Sequence, residues 1–253
     1  MKRVLHATIG LSALAASATV HAADLPAKTY TKAPPAVVAR VYDWSGFYGG
    51  INAGGGSSRN CWTLTRNAGV AVAAAAGREG CNSGGGAAVG GQIGYRYQMA
   101  NWVFGVEAQG DWADFKGTRR DLVLAGLSDR SRLNGFGLFT GQVGYAFNNV
   151  LGYIKGGAAV VGDRYDVLNA AGAVVDSAKT TRWGGAVGAG VEYGFAPNWS
   201  VGVEYDHLFL GNKNLNFVNA AGTTTMMRNI SQGADIGLVR LNYKFGGPMM
   251  MKF

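Results

Sequence analysis

Ten ionisable residues are spaced as if to neutralise one another: basic Arg96, Lys155, Arg182, Arg240 and Lys244, and acidic Glu107, Asp111, Glu192, Glu204 and Asp206. Each stands in a stretch of alternating apolar and polar residues, where positions two apart share a face. Val89, Gly91, Ile93, Tyr95 and Tyr97 make one face, and Gln92, Arg96 and Gln98 the other. Past Met99-Ala100-Asn101 the pattern resumes, with Trp102, Phe104, Val106, Ala108 and Trp112 opposed by Glu107, Gln109 and Asp111. The same sentence recurs over Leu133–Val160 and Arg182–Tyr205. A lysine or arginine facing lipid near the bilayer midplane costs ~2–4 kcal/mol. These charges are therefore expected to face inward, paired across a closed cylinder whose apolar side meets acyl chains.

The compartment follows from the first residues. Lys2 and Arg3, the apolar run Val4–Val20 and the small residues at Val20-His21-Ala22 read as a secretion signal over 1–22. No later run approaches the ~20 apolar residues of a spanning helix. Losing Lys2 and Arg3 lowers the formal charge from +8 to +6. Residues 23–43 read as a flexible basic linker, with Pro26, Pro34 and Pro35 denying regular structure, long enough to touch the cell wall. In an oxidising compartment Cys61 and Cys81 are expected to form a disulfide, stabilising by ~3 kcal/mol.

Eight strands are legible: Trp44–Gly56, Gly86–Gln98, Trp102–Trp112, Leu133–Phe147, Val150–Val161, Thr181–Phe195, Trp199–Leu208 and Ala234–Phe245. Their links alternate between long and short. Tyr95, Tyr97, Trp102, Phe104, Tyr145, Phe147, Tyr193, Phe195 and Trp199 gather by the short ones, and Tyr243 and Phe245 join them. Trp112, Trp183 and Tyr205 mark the other interface. Such girdles predict an all-β fold: an eight-stranded antiparallel transmembrane β-barrel over 44–245, in the outer membrane. Eight strands enclose a space that side chains just fill, so the ion-pair network reads as a plug as much as a lining.

Other chemistry finds less support. Two cysteines and the lone mature histidine, His207, are too few for a zinc site. Asp206 and His207 are chain neighbours on a strand, so they point to opposite faces and make no catalytic dyad. No phosphate-cradling loop with its lysine is present, and the excess positive charge is too dispersed for nucleic acid. The chain reads as a non-enzyme without cofactor. The regions Ser57–Gly85 and Ala113–Arg132 read as loops rich in Arg59, Arg66, Arg78, Lys116, Arg119, Arg120, Arg130 and Arg132, against Glu79, Asp114, Asp121 and Asp129. That excess suits lipopolysaccharide phosphates, with Arg119, Arg120, Arg130 and Arg132 as contacts; an ordinary solvated loop accounts for it equally.

The segments Ala23-Asp24-Leu25-Pro26, Lys32-Ala33-Pro34 and Trp44-Ser45-Gly46-Phe47-Tyr48-Gly49-Gly50 resemble the start of small alphaproteobacterial outer-membrane immunogenic, or porin-like, barrels. Gly141-Gln142-Val143-Gly144-Tyr145, Lys155-Gly156-Gly157-Ala158, Gly190-Val191-Glu192-Tyr193 and Val239-Arg240-Leu241-Asn242-Tyr243-Lys244-Phe245 extend the resemblance over nearly the whole mature chain. It implies a surface-exposed structural barrel associated with envelope integrity. The alternatives are a narrow channel for small solutes, or a surface protein binding haem or another ligand; for haem the resemblance points to His207, with Met226 and Met227 in the following loop, as axial candidates, against the structural role that a lone histidine near an interface more often has. The family's chain usually stops at the aromatic matching Phe245, which the barrel-assembly machinery reads; here Gly246–Phe253 follow, and Pro248 cannot donate to a ladder. Deleting Gly246–Phe253 is expected to leave insertion intact, checked by the heat-modifiable band of the folded barrel. Loss of that band would move the signal to Phe253.

Overall fold

The structure, a computed structural model, describes residues 41–73 and 77–246. The expected secretion signal (1–22), linker positions 23–40 and the extension past Gly246 lie outside them. Nine strands follow one another: β1 (Gly46–Asn67), β2 (Val70–Ala71), β3 (Arg78–Met99), β4 (Trp102–Arg120), β5 (Ser128–Phe147), β6 (Val150–Leu168), β7 (Val174–Ala196), β8 (Trp199–Val218) and β9 (Thr224–Phe245). β2 pairs only with the tip of β1. The other eight pair antiparallel in chain order, and β9 returns to β1 from Phe47↔Phe245 to Asn67↔Met226. Closure gives each of the eight a partner on both sides, as lipid requires of any sheet; towards the far end the β7–β8 ladder is broken between Ser177 and Gly185.

The turns at one end, after β3, β5 and β7, are two-residue turns. Ala100 and Asn148 there take positive φ (54° and 53°). At the other end two turns repeat one solution, Asn169-Ala170-Ala171-Gly172 and Asn219-Ala220-Ala221-Gly222. In each, the asparagine Oδ1 accepts from two backbone amides ahead of it, at 3.0 Å.

The regions Ser57–Gly85 and Ala113–Arg132, read above as loops, are mostly strand. β1 runs on to Asn67, β3 starts at Arg78, β4 runs to Arg120 and β5 starts at Ser128. A strand of 22 residues, such as β1, spans ~70 Å of chain, whereas the membrane's apolar band is only ~25 Å tall. The sheet continues beyond the lipid with a polar outer face. The outward sequence of β4 is Trp102, Phe104, Val106, Ala108, Gly110 and Trp112, then Asp114, Lys116, Thr118 and Arg120. Expecting only membrane-length strands hid this extension. Trp44, placed in the first strand by the sequence, precedes β1 and is buried with Tyr42 in the lumen.

Cys61 and Cys81 face each other across β1 and β3 and form a disulfide. The seam between β1 and β9 is close enough to demand glycine. A Cβ on Gly54 would lie within 2.0 Å of the Gly237 carbonyl oxygen, and one on Gly56 within 2.3 Å of that of Asp235. Gly237 itself has room, its nearest neighbour being 3.9 Å away. Gly54→Val is expected to cost about 1–3 kcal/mol by overpacking, whereas Gly237→Ala is tolerated. Folded fraction by heat-modifiable mobility in urea checks the contrast.

Candidate functional site in the barrel interior

Alternation places every even-numbered residue of β9 from Met226 to Lys244 inside, and the corresponding set on each other strand. The lumen is layered. At the end that carries the two-residue turns Tyr42 and Trp44 pack ring against ring (4.4 Å) and share a buried cluster with Val103, Ala146, Leu151 and Tyr153. Tyr42 and Asp43, the last residues of the expected linker, are part of this closure. The Tyr42 amide donates to Asn149 Oδ1 (3.0 Å), and Lys244 Nζ donates to Asp43 Oδ2 (3.1 Å).

Above that floor lies an ionic layer drawn from six strands. Arg240 donates to both Glu107 and Glu204. Lys155 Nζ stands 2.7 Å from Glu204, 3.3 Å from Asp206 and 3.5 Å from Glu107. Arg96 pairs with Glu192 (2.9 Å), its guanidinium 4.3 Å from the Tyr48 ring centre. Tyr48 Oη donates to Glu107 (2.6 Å) and Tyr153 Oη to Glu204 (2.7 Å). Glycines open the space for both rings: a Cβ on Gly94 or Gly190 would come within 2.5–2.6 Å of the Tyr48 or Tyr153 hydroxyl. A recess of about 10 Å³ remains between Tyr42, Arg96 and Glu192, at the lower limit for one water.

Seven of the ten sequence-derived charges thus meet here: Arg96, Glu107, Lys155, Glu192, Glu204, Asp206 and Arg240. The other three are inside but elsewhere. Asp111 accepts from Gln109 (2.9 Å), Lys244 sits at the floor, and Arg182 pairs with Asp163 (3.7 Å) and donates to the Ile230 carbonyl (2.8 Å). Between Arg182 and the ionic layer stands an apolar layer that includes Phe115, Leu133, Phe136, Leu138, Val161, Leu208 and Ile236, all at most 5% exposed. Reading the interior as charged missed it, although these residues share the inward parity.

Outside the membrane the lumen is closed again. Trp62, Leu64, Tyr165, Val167, Phe217 and Ile230 form a second apolar cluster, and Val123, Leu124 and Leu127 of the 121–127 connection fold onto it. Within this cap is Arg228, fully buried and held by Glu79 (3.0 Å), Asp121 (2.9 Å) and Asp129 (2.6 Å). Asp121 also orders the connection, its Oδ1 accepting from the amides of Val123 and Leu124. Sequence reasoning missed Arg228 because it began the last strand at Ala234. Carrying that strand's even parity outward from Arg240 reaches it.

The residues singled out for surface chemistry do not assemble as expected. Arg119 is no surface contact: it turns inward and donates to the Cys81 carbonyl. Its neighbour Arg120 faces out, because strand neighbours alternate. Arg130 is engaged by Asp166 (2.8 Å), and Arg132 lies on the outer wall. His207 and Asp206 do point to opposite faces, but His207 Nδ1 meets Asp235 Oδ1 at 2.7 Å on the outside. Asp235 had escaped notice as an outward residue with no interior role. Met226 and Met227 pair with Phe217 and Asn216, ten and nine residues along β8 from His207, so these three form no joint haem ligand set.

A family model described as the outer membrane protein beta-barrel domain matches residues 9–228. The chain belongs to that family. It is 30% identical over 232 residues to the 31 kDa outer-membrane immunogenic proteins of Brucella melitensis and Brucella suis, covering 85% of this chain and 90% of theirs. Among solved structures it is similar to the outer membrane protease OmpT of Escherichia coli (TM-score 0.48, 12% identity, 82% of this chain and 99% of that one). Another is OprG of Pseudomonas aeruginosa (TM-score 0.46, 10% identity, 81% and 99%). This family member is an outer-membrane protein, an eight-stranded transmembrane barrel lying among the lipids of that membrane.

The cap has its own acid–base behaviour. Burial, opposed by Arg228 and reinforced by Asp129 and Asp121, pushes the Glu79 carboxyl from its ordinary 4.5 up to about 8. Burial likewise raises Asp129 from 3.8 to about 6. A raised carboxyl means that the folded cap binds protons the unfolded chain has released, so stability falls as pH rises from about 4.5 through about 8. Amide exchange over 121–127 is expected to speed up across pH 5–9, after correction for intrinsic chemistry. Glu79→Gln should flatten that rise; an unchanged slope would assign it to other groups.

Proposed function

We propose that this barrel is a structural, non-conducting and non-enzymatic component of the outer membrane that supports envelope integrity and presents an extended surface to the exterior. The observation that carries this reading is the pair of apolar layers across the lumen, one around Phe115 and Phe136, the other around Trp62 and Phe217. An ion crossing either would shed its hydration with no polar group in return, the condition under which apolar constrictions shut pores. The ionic layer supports the same reading, since its cations are taken up by carboxylates at 2.7–3.5 Å rather than lining a route. The channel alternative lacks such support, and the haem alternative loses its methionine partner.

Assembly through the barrel-assembly machinery, with Phe245 closing β9, and contact of the linker with peptidoglycan belong to this proposal. So does lipopolysaccharide as a neighbour of the outer wall. The deciding experiment is planar-bilayer recording on the refolded protein. Silence is expected at potentials where a porin of known conductance gives steps. Discrete, reproducible steps would overturn the sealed-lumen reading.

A further inference from the structure

Outside the lipid, one hydrogen-bonded register line crosses four strands and carries a cation on each. Lys116 of β4 is opposite Arg132 of β5, Arg132 opposite Arg164 of β6, and Arg164 opposite Lys179 of β7. All four side chains are on the outer wall. Like charges directly opposite one another destabilise a sheet, so the row calls for anions. The protein supplies two: Asp114 meets Lys116 (2.6 Å), and Asp166 meets Arg164 (3.0 Å) and Arg130 (2.8 Å). Among the described residues no carboxylate lies within ion-pair distance of Arg132 or Lys179, and Arg132 Nε is buried without a hydrogen-bond partner.

The position is specific. On β4 and β7 the row stands two outward positions beyond Trp112 and Trp183, the exposed aromatics at the outer edge of the apolar band. That is ~13 Å along the strand, less once tilted, which is headgroup depth. Gly162, paired with Gly135 and Thr181, leaves a recess of about 470 Å³ lined also by Asn134 and flanked by Arg164 and Lys179. Asp163, which also borders it, is turned inward to Gln232 (2.8 Å). Lys213 of β8 reaches the same edge, donating to the Thr181 carbonyl (2.8 Å).

We propose that this row, with the recess over Gly162, binds the phosphate groups of a phosphorylated glycolipid of the outer leaflet. The inference rests on the bilayer placement of the barrel and is independent of whether the lumen conducts. It moves the contact away from Arg119 and Arg120, toward Arg132, Arg164 and Lys179. Guanidinium groups match phosphate in a fork, and the open hydroxyl edge at Thr181 gives sugar a polar neighbour.

The test uses the refolded full chain in zwitterionic micelles, titrated with bis-phosphorylated lipid A, with the same glycolipid stripped of phosphate, and with inorganic phosphate. The phosphorylated lipid is expected to bind about tenfold or more tightly than the stripped one, and Arg132→Gln with Lys179→Gln to remove about that factor. Gly162→Val keeps every charge but fills the recess; it should weaken lipid binding too, separating a site from diffuse attraction. Equal binding of both glycolipids, or a double variant that binds like the parent, overturns the proposal. Inorganic phosphate binding as tightly as the lipid overturns the lipid assignment in favour of a free-phosphate site. Heat-modifiable mobility reports folding of each variant, and the comparison between the two glycolipids needs no variant. A parent chain that folds without detergent would instead remove the bilayer placement, a failure distinct from these.

Discussion

Everything in this molecule is arranged around charges that can face only one way. On a strand, side chains alternate, and a slip of one residue in pairing sends each inward group outward. For Arg240 and Lys155 that would mean a lipid environment, and for Leu241 and Ile154 the lumen. The ionic layer therefore specifies register more than it adds stability: replacing a buried ion pair by well-packed apolar groups is often neutral, whereas exposing or orphaning one member is costly. Arg240 is bound to carboxylates from β4 and β8, and Lys155 to carboxylates from the same two strands, so the pairs reach across the cylinder rather than along one hairpin. They tie together strands that hairpin turns alone leave free to shift.

The apolar layers then have a clear relation to the charges. Leu238 precedes Arg240 on the inner face of β9, and Leu208 follows Asp206 on that of the antiparallel β8, so both stand on the same side of the charges. Placing hydrocarbon directly against the ionic layer excludes water from one side of it and strengthens the electrostatic interactions within. The Tyr42–Trp44 floor does the same from below. Eight strands make this possible, because the interior is narrow enough for side chains from opposite walls to touch.

The sequence made the wall of this barrel readable, and the parity of Arg96, Glu107, Lys155, Glu192, Glu204, Asp206 and Arg240 followed from it. The pairing among them did not. Arg182 and Arg240 have equal standing in the linear pattern, yet one joins the ionic layer and the other lies beyond Phe136 with Asp163, because the rank of an inward residue along the axis depends on strand stagger. The extension beyond the membrane was hidden for a different reason. There the outer face is wetted and the inner face apolar, so the pattern reverts to that of a soluble sheet. Stretches such as Asn60-Cys61-Trp62-Thr63-Leu64 no longer match the lipid-facing rule, and glycines around them read as loop. Arg228 and its three carboxylates lay in this blind region.

Inner and outer walls differ in whether a cation must be paired: outside, Lys116, Arg130 and Arg164 have carboxylates but Arg132 and Lys179 do not, and the difference follows from the dielectric on each side. Inside, Arg96, Lys155, Arg228 and Arg240 each have a carboxylate within 3 Å, as a low-dielectric interior demands. Outside, beyond Trp112 and Trp183, water and mobile ions tolerate an unpaired guanidinium, so nothing in folding forces Arg132 and Lys179 to be there. A row of four like charges on one register line weakens the sheet that carries it, modestly, through each adjacent pair. Stability alone would disperse them, as it disperses Arg59 and Arg66 on β1. That they stand together at headgroup depth, over a glycine, is a departure from what the barrel requires of itself and points to the surface it meets.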